Sequence, residues 1–387
     1  MNTIAAAAVW LALVAPSLFI VHKYSGTAGS AAYAAFAALA VAAAPRLPVP
    51  RSRRGRRTAA VATIAVIVIV FALMYPAVNV HTLAVGSDDD DAYNAGARAL
   101  IEGRYPYSER TYLGNVLHQL PGAFVLAAPF VIAGTSALQN LFWLPAFFLA
   151  VRRETDETAA LRLSWLVLAA SPTVLHQVIT GTGHAANTIY VALGLWWLTR
   201  TVHTNIAGAL WGIAVASRAN FLLLLPLAFG WLWQHRGWRT AVAAMAFTSG
   251  VASALVVPFY LHDPVQFGPL EAADRLLRFN GVFAYAGAAI GISMAAAAGM
   301  LSCRPMDRGA LFRNCALVQG LPVVAGVLLS GPGRAGLVYA TYGTFAAWFV
   351  FIAAADRFAD RGSNPARIQV VPQTASRPPI GAARVRT

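Results

Sequence analysis

Four consecutive aspartates, Asp88 to Asp91, follow directly on a membrane-length apolar run in a chain with only 15 acidic residues among 387. Like charges this close need a bound cation, a hydrogen-bonding surround or raised pKa values to stay compact. The tetrad is therefore the first place to look for chemistry. The plain alternative is a solvated loop that also caps the next helix, although a cap needs only one aspartate. A second candidate is Arg218, between two apolar runs in ASRANFLLLLPL. An ionisable group so placed in a membrane is functional by default, the alternative being a side chain that snorkels to the headgroups. Arg275 and Arg278, in RLLRFN, are weaker candidates of the same kind. Tyr93, Tyr105, Tyr107 and Tyr112 follow the aspartates, where they suit the stacking of a sugar ring or an aromatic belt. His118, His176 and His184 fall near the same face and either contact a substrate or pack.

The elements that must position these residues are helices in a bilayer. Hydrophobic residues make up 58% of the chain and charged ones 11%, which excludes a soluble domain and describes a polytopic, all-α transmembrane bundle. The net charge of +14 comes from 28 arginines and one lysine, clustered in short loops between apolar runs. That is an orientation signal, and no nucleic-acid surface is expected. Cys303 and Cys315 flank a basic loop expected in the cytoplasm, where thiols stay reduced. No nucleotide-binding glycine loop, H-E-x-x-H, paired C-x-x-C or G-x-S-x-G motif occurs, and neither a metal nor a cofactor is expected.

Apolar runs predict about twelve spans, near 4–21, 28–44, 59–79, 136–151, 159–178, 185–201, 205–217, 219–234, 240–260, 280–301, 312–330 and 335–355. The first lacks a basic n-region and reads as a retained span. The loop from Arg46 to Arg57 carries six arginines and is expected inside, so the next span delivers the aspartates to the outer face of a bacterial inner membrane. The run 120–134 decides every later loop. Read as an interfacial helix, it keeps Arg152, Arg153, Arg236, Arg239, Arg304, Arg308 and Arg313 inside. Its two prolines and modest length suit that choice. A long outer loop, about 79–135, then carries short interfacial helices. In it AYNAGARALIEG forms a helix with Tyr93, Leu100 and Ile101 on one face, stopped at Gly103 and led by the aspartates at its positive end. Residues 356–387 read as a disordered basic cytoplasmic tail that touches anionic lipid.

The order of these parts resembles the GT-C superfamily of integral-membrane glycosyltransferases. The resemblance lies in Asp88, Tyr93, Ala95-Gly96, Leu100, Gly103 and Tyr105-Pro106-Tyr107, with a Pro-led helix from Pro121 and the basic pair Arg152-Arg153. SPTVLHQVITGTGHAANT (171–188), ASRANFLLLLPL (216–227) and PFYLHDPVQF (258–267) are similar to later segments of the family, so the likeness covers roughly 59–270. It implies a catalytic region over 58–355, preceded by two extra spans and a basic loop over 1–57. The second outer loop departs from the pattern, offering His184 and Asn187 where several relatives carry an acid.

The resemblance further implies transfer of a sugar from a polyprenyl-phosphate donor to a lipid, glycan or protein hydroxyl of the cell envelope. One carboxylate of the first outer loop then acts as base, with Asp88 favoured by register and Asp89 next. Arg218 would meet the departing phosphate, since a guanidinium grips its oxygens bidentately. Tyr93, Tyr105, Tyr107, His118 and His184 complete the expected substrate site. Two rivals remain: a transporter or flippase of a lipid-linked sugar, and a non-enzymatic envelope scaffold in which the aspartates hold Ca²⁺. Internal repeats and midplane charges would mark the first, and spaced ligands the second; neither appears in the sequence.

Overall fold

A computed structural model describes residues 3–81, 87–271, 276–331 and 333–359. Among them the chain is all-helical, with one isolated bridge, Arg110 to Val116. Helix α1 (Thr3–Ala43) is folded back on itself at Gly26, whose φ of 64° lies in the region that favours glycine. Its arms lie side by side, since Trp10 Nε1 donates to the Ala34 carbonyl at 2.8 Å and Tyr33 Oη to that of Leu13 at 3.0 Å. Helix α2 (Arg53–Val78) opens on a Ser52 cap that accepts from the Gly55 N–H. Past residues 82–86, which lie outside the described set, α3 (Asp89–Ile101) begins within the tetrad.

The aspartate face of the molecule is built from short pieces. Helix α3 buries Tyr93, Gly96 and Ala97 against α4 (Pro121–Ile132), while Ile101, expected on the same face, is 49% exposed. Helix α4 has 12 residues, about 18 Å at 1.5 Å per residue, and is too short to cross a bilayer. Then come α5 (Leu138–Glu154), α6 (Glu157–Ala170), α7 (Pro172–Thr180) and α8 (His184–Leu198). The expected span 159–178 is bent by 80° between α6 and α7, where Ser171 precedes Pro172 and leaves the helical region. Helices α9 (Thr204–Val215), α10 (Ala219–Leu222) and α11 (Leu225–Arg236) bracket Arg218, and α12 (Trp238–His262) packs along α9. The bundle closes with α13 (Ala286–Ser302), α14 (Arg308–Ser330), α15 (Arg334–Thr341) and α16 (Thr344–Ala354).

Among the described residues four helices are long and apolar enough to cross a membrane, or up to six if each bent pair is one span. The expected dozen is not confirmed, because many apolar runs form helices of 12 to 17 residues, broken at Pro, Gly or polar turns. Packing extends past the expected bundle end at 355. Phe358 is fully buried, and its carbonyl accepts from Arg162 Nη1 at 3.0 Å. The remainder of the expected tail, 360–387, lies outside the described residues.

At the opposite end from the aspartates, loop arginines gather on acids. Arg56 and Arg152 both pair with Glu157, at 2.9 and 3.1 Å. Glu154 takes Arg200 and Arg308. The starts of α2, α6 and α14 and the ends of α5 and α8 therefore meet on one side, and the tetrad lies on the other.

Candidate functional site

The four aspartates have four different environments. Asp88 caps no backbone N–H of α3 with its side chain; its Oδ2 accepts from Thr111 Oγ1 at 2.9 Å and Asn115 Nδ2 at 2.7 Å. Asp91 accepts the Tyr112 N–H at 2.7 Å. These two carboxylates hold the loop 110–116 against the start of α3. Asp90 is 2% exposed and takes the Tyr75 hydroxyl at 2.9 Å on Oδ2, while its Oδ1 is buried without a hydrogen-bond partner. Burial chiefly pushes the Asp90 carboxyl up, to about 6.

Asp89 alone faces Arg218. Its Oδ1 lies 3.4 Å from Arg218 Nη2 and 3.8 Å from His184 Nε2, and it accepts from Gln119 Nε2 at 3.0 Å. Its Oδ2 accepts the Gly183 N–H at 2.8 Å. Burial would raise this carboxyl, but His184, Arg218, the Gly183 N–H and Gln119 together hold it below the ordinary aspartate range. The register follows from the helix: successive residues turn by 100°, so only one of four neighbours points at a given partner. The carboxylate at Arg218 is Asp89, not Asp88, which the sequence register favours.

Arg218 is fixed from several sides. Its Nη2 donates to Tyr93 Oη at 3.2 Å, and its guanidinium stands over the Phe345 ring at 5.3 Å. With its amide oxygen turned to the guanidinium, Asn187 accepts from Arg218 Nε at 2.9 Å and from Tyr93 Oη, and donates to Tyr190 Oη at 2.8 Å. Burial pushes the Tyr93 phenol up to about 12, so it stays protonated. The side chain is 14% exposed and turned into the protein, which removes the snorkelling alternative.

Backbone contacts explain why these groups converge. The free N–H groups at the start of α4 donate to the chain that ends α9, Leu120 to Ser217 O at 3.0 Å and Gly122 to Ala216 O at 2.9 Å. They set the turn that carries Arg218. Asn220 and the buried Gln319 of α14 exchange two hydrogen bonds on the other side of that turn. Gly181 caps α7 at φ 71°, and a Cβ there would stand 2.8–2.9 Å from Ala137, Asp90 and Tyr75. This tight passage delivers Gly183, His184 and Asn187 to Asp89.

The other expected substrate residues are elsewhere. Tyr107 is 1% exposed among Phe124, Phe259 and Phe267, and its hydroxyl donates to Gln119 O at 2.9 Å. Tyr105 donates to Phe259 O and Asp263 O. Both are packing residues, since a hydroxyl buried beside helix ends must find a carbonyl and the rings fill the space beneath α3 and α4. His118 lies by Gly268 O at 3.4 Å. Arg278 is exposed, and Arg275 lies outside the described residues. Gln119, Gly183 and Phe345 join the site without having been legible: an amide, a glycine and a distant phenylalanine carry no pattern of their own. Asn187 had a signal, as the polar residue one helical turn past His184. Among the described residues no cluster of three or more His, Cys, Asp or Glu could hold a metal ion.

No family model, curated protein or solved structure matches this chain.

Proposed function

We propose that this protein is a membrane glycosyltransferase of GT-C type, moving a sugar from a polyprenyl-phosphate donor to a hydroxyl acceptor on the outer face of a bacterial inner membrane. One observation carries it: a carboxylate and a guanidinium, Asp89 and Arg218, meet at one end of an apolar bundle with their side chains still 15% and 14% exposed, each held by further donors and acceptors. That pair matches the two tasks of the reaction. The acceptor oxygen forms a bond to the anomeric carbon as the bond to phosphate oxygen breaks. The hydroxyl proton passes to Asp89, and the leaving phosphate keeps the electron pair, stabilised by Arg218.

Asp89 paired to Arg218 is a weak base. A donor phosphate that draws the guanidinium onto itself removes one of the influences holding this carboxyl down. Its basicity then rises when donor is bound, and a carboxylate base is worth about 10²–10⁴-fold. Tyr93 and Asn187 keep Arg218 oriented while it changes partner. Asp88 and Asp91 tie down the loop beside the cleft, and Asp90 locks α3 to α2.

The test is transfer of radiolabelled sugar from a polyprenyl-phosphate donor in membranes holding the full chain. Asp89→Asn should abolish transfer and leave donor binding nearly intact, whereas Asp88→Asn and Asp91→Asn should cost far less. Donor appearing unchanged on the opposite leaflet, with no product from wild type, would make the protein a flippase instead.

A further inference from the structure

A lateral groove of about 500 Å³ lies between α4, α5, α8 and α9, a volume in the range of small-molecule sites. It exists because α4 reaches it only through Leu126, leaving the facing sides of α5 and α8 uncovered. Its wall is apolar and aromatic, with Trp143, Trp196, Trp197 and Leu210 prominent. Leu149, Trp197 and Leu210 are exposed, so the groove opens sideways to the surrounding hydrocarbon. One end lies at Tyr190, next to Asn187; the other lies at Arg153, in the last turn of α5. The ten residues from Trp143 to Arg153 span about 15 Å.

The cation sits at the end remote from Asp89. Arg153 is exposed there and makes no ion pair or hydrogen bond among the described residues. The neighbouring Glu154 does not neutralise it, being occupied by Arg200, Arg308 and Trp196 Nε1. Around this mouth the five guanidiniums of Arg56, Arg152, Arg153, Arg200 and Arg308 outnumber the four carboxylates of Glu154, Asp156, Glu157 and Asp307. A phosphate would find a planar donor fork at the headgroup level, flanked by tryptophans of the type that favours that depth.

We infer that the groove holds one acyl chain of an anionic glycerophospholipid from the leaflet opposite the Asp89 site, with the lipid phosphate on Arg153. Charge selects the occupant: an excess of guanidiniums favours a net-negative headgroup over a zwitterionic one. Position separates it from a sugar donor, whose phosphate must reach Arg218 at the other end. The site needs only a bilayer around the chain and is independent of the glycosyl-transfer reading.

The test uses the full chain, delipidated in detergent and titrated with phosphatidylglycerol or phosphatidylcholine of identical chains, with bound lipid counted by native mass spectrometry. Wild type should retain one phosphatidylglycerol and at least about tenfold less phosphatidylcholine. Arg153→Gln, at the mouth, and Ala146→Trp, which fills the groove, should each lower retention about tenfold. Arg110→Gln, at an exposed arginine of the aspartate end that does not line the groove, should change it less than about twofold. Gel filtration and thermal unfolding establish that each variant is folded, and the two groove variants alter opposite features, so one misfolded protein does not decide the outcome. Equal retention of both lipids would overturn the proposal, as would wild-type retention by both groove variants. Displacement of the phospholipid by an isoprenoid phosphate would assign the groove to the donor.

Discussion

Asp90 shares a helical turn with Asp89 yet has almost no contact with water, and its carboxyl is pushed up to about 6 where that of Asp89 is held down. The two should affect stability with opposite sign. Between the unfolded aspartate value and about 6, folded Asp90 binds a proton that the unfolded chain has lost, so stability falls as pH rises through that window. The full effect is about 3 kcal/mol at 1.36 kcal/mol per unit. Asp89, held below its unfolded value, contributes stability above pH 4 that is lost only on further acidification. Thermal unfolding of wild type and Asp90→Asn should therefore diverge between about pH 4 and 6, the variant becoming relatively more stable as pH rises. A constant difference across that range would mean that Asp90 does not titrate there. At Arg218 the fork itself matters, because Nη2 serves both Asp89 and Tyr93 while Nε of the same plane serves Asn187. Arg218→Lys should insert and fold but lose about 10²-fold in turnover, the scale of one oriented donor at a developing charge. Wild-type turnover in that variant would leave Arg218 a structural residue.

Short helices and tight turns do the positioning. The bend between α6 and α7 turns an otherwise straight span onto the aspartate face, and Gly181 then returns the chain past Asp90 and Tyr75 with no room for a side chain. Gly181→Ala combines a left-handed φ with contacts under 3 Å, and should lower stability by about 1–3 kcal/mol while displacing His184. Unfolding in detergent reads the first effect; loss of transfer reads the second. A silent substitution would mean that the α7–α8 turn adapts freely. On the opposite side of the cleft, α4 and Gln319 hold the Arg218 turn between them. The carboxylate and the guanidinium are thus presented by segments 129 residues apart, each braced by a different neighbour.

The whole molecule has two unlike ends. Aspartates, the α7–α8 turn and Arg218 share one, and the paired arginines of the loops share the other. If the second end is cytoplasmic, as arginine distribution implies, single cysteines should label from opposite faces of the membrane. In a Cys303→Ser background, Arg110→Cys, in the exposed loop beside the tetrad, should react from outside. Arg54→Cys and Arg153→Cys should be protected. Outside labelling at both 110 and 153 would turn α4 into a full span and undo the orientation.

How much of this was legible follows from what each signal measures. Composition and apolar runs determine that the chain is helical and belongs with lipid, because backbone groups in hydrocarbon must be satisfied within a helix. Arginine placement grouped the loops correctly onto one end, and unusual residues flagged themselves: an aspartate tetrad, an arginine between apolar runs, a histidine after a glycine turn. Hydropathy does not measure helix continuity, so it gave no sign of the 80° bend at Pro172 or of how short the helices on either side of the Arg218 turn are. Nor does it tell a stacking tyrosine from a packed one: Tyr107 is core, and the half-buried Tyr105 packs against it. The tertiary structure alone decided which aspartate meets Arg218. That choice depends on the rotation of α3 against α4 and on donors from Gly183 and Gln119, contacts between segments whose separation in sequence carries no trace of their nearness in space.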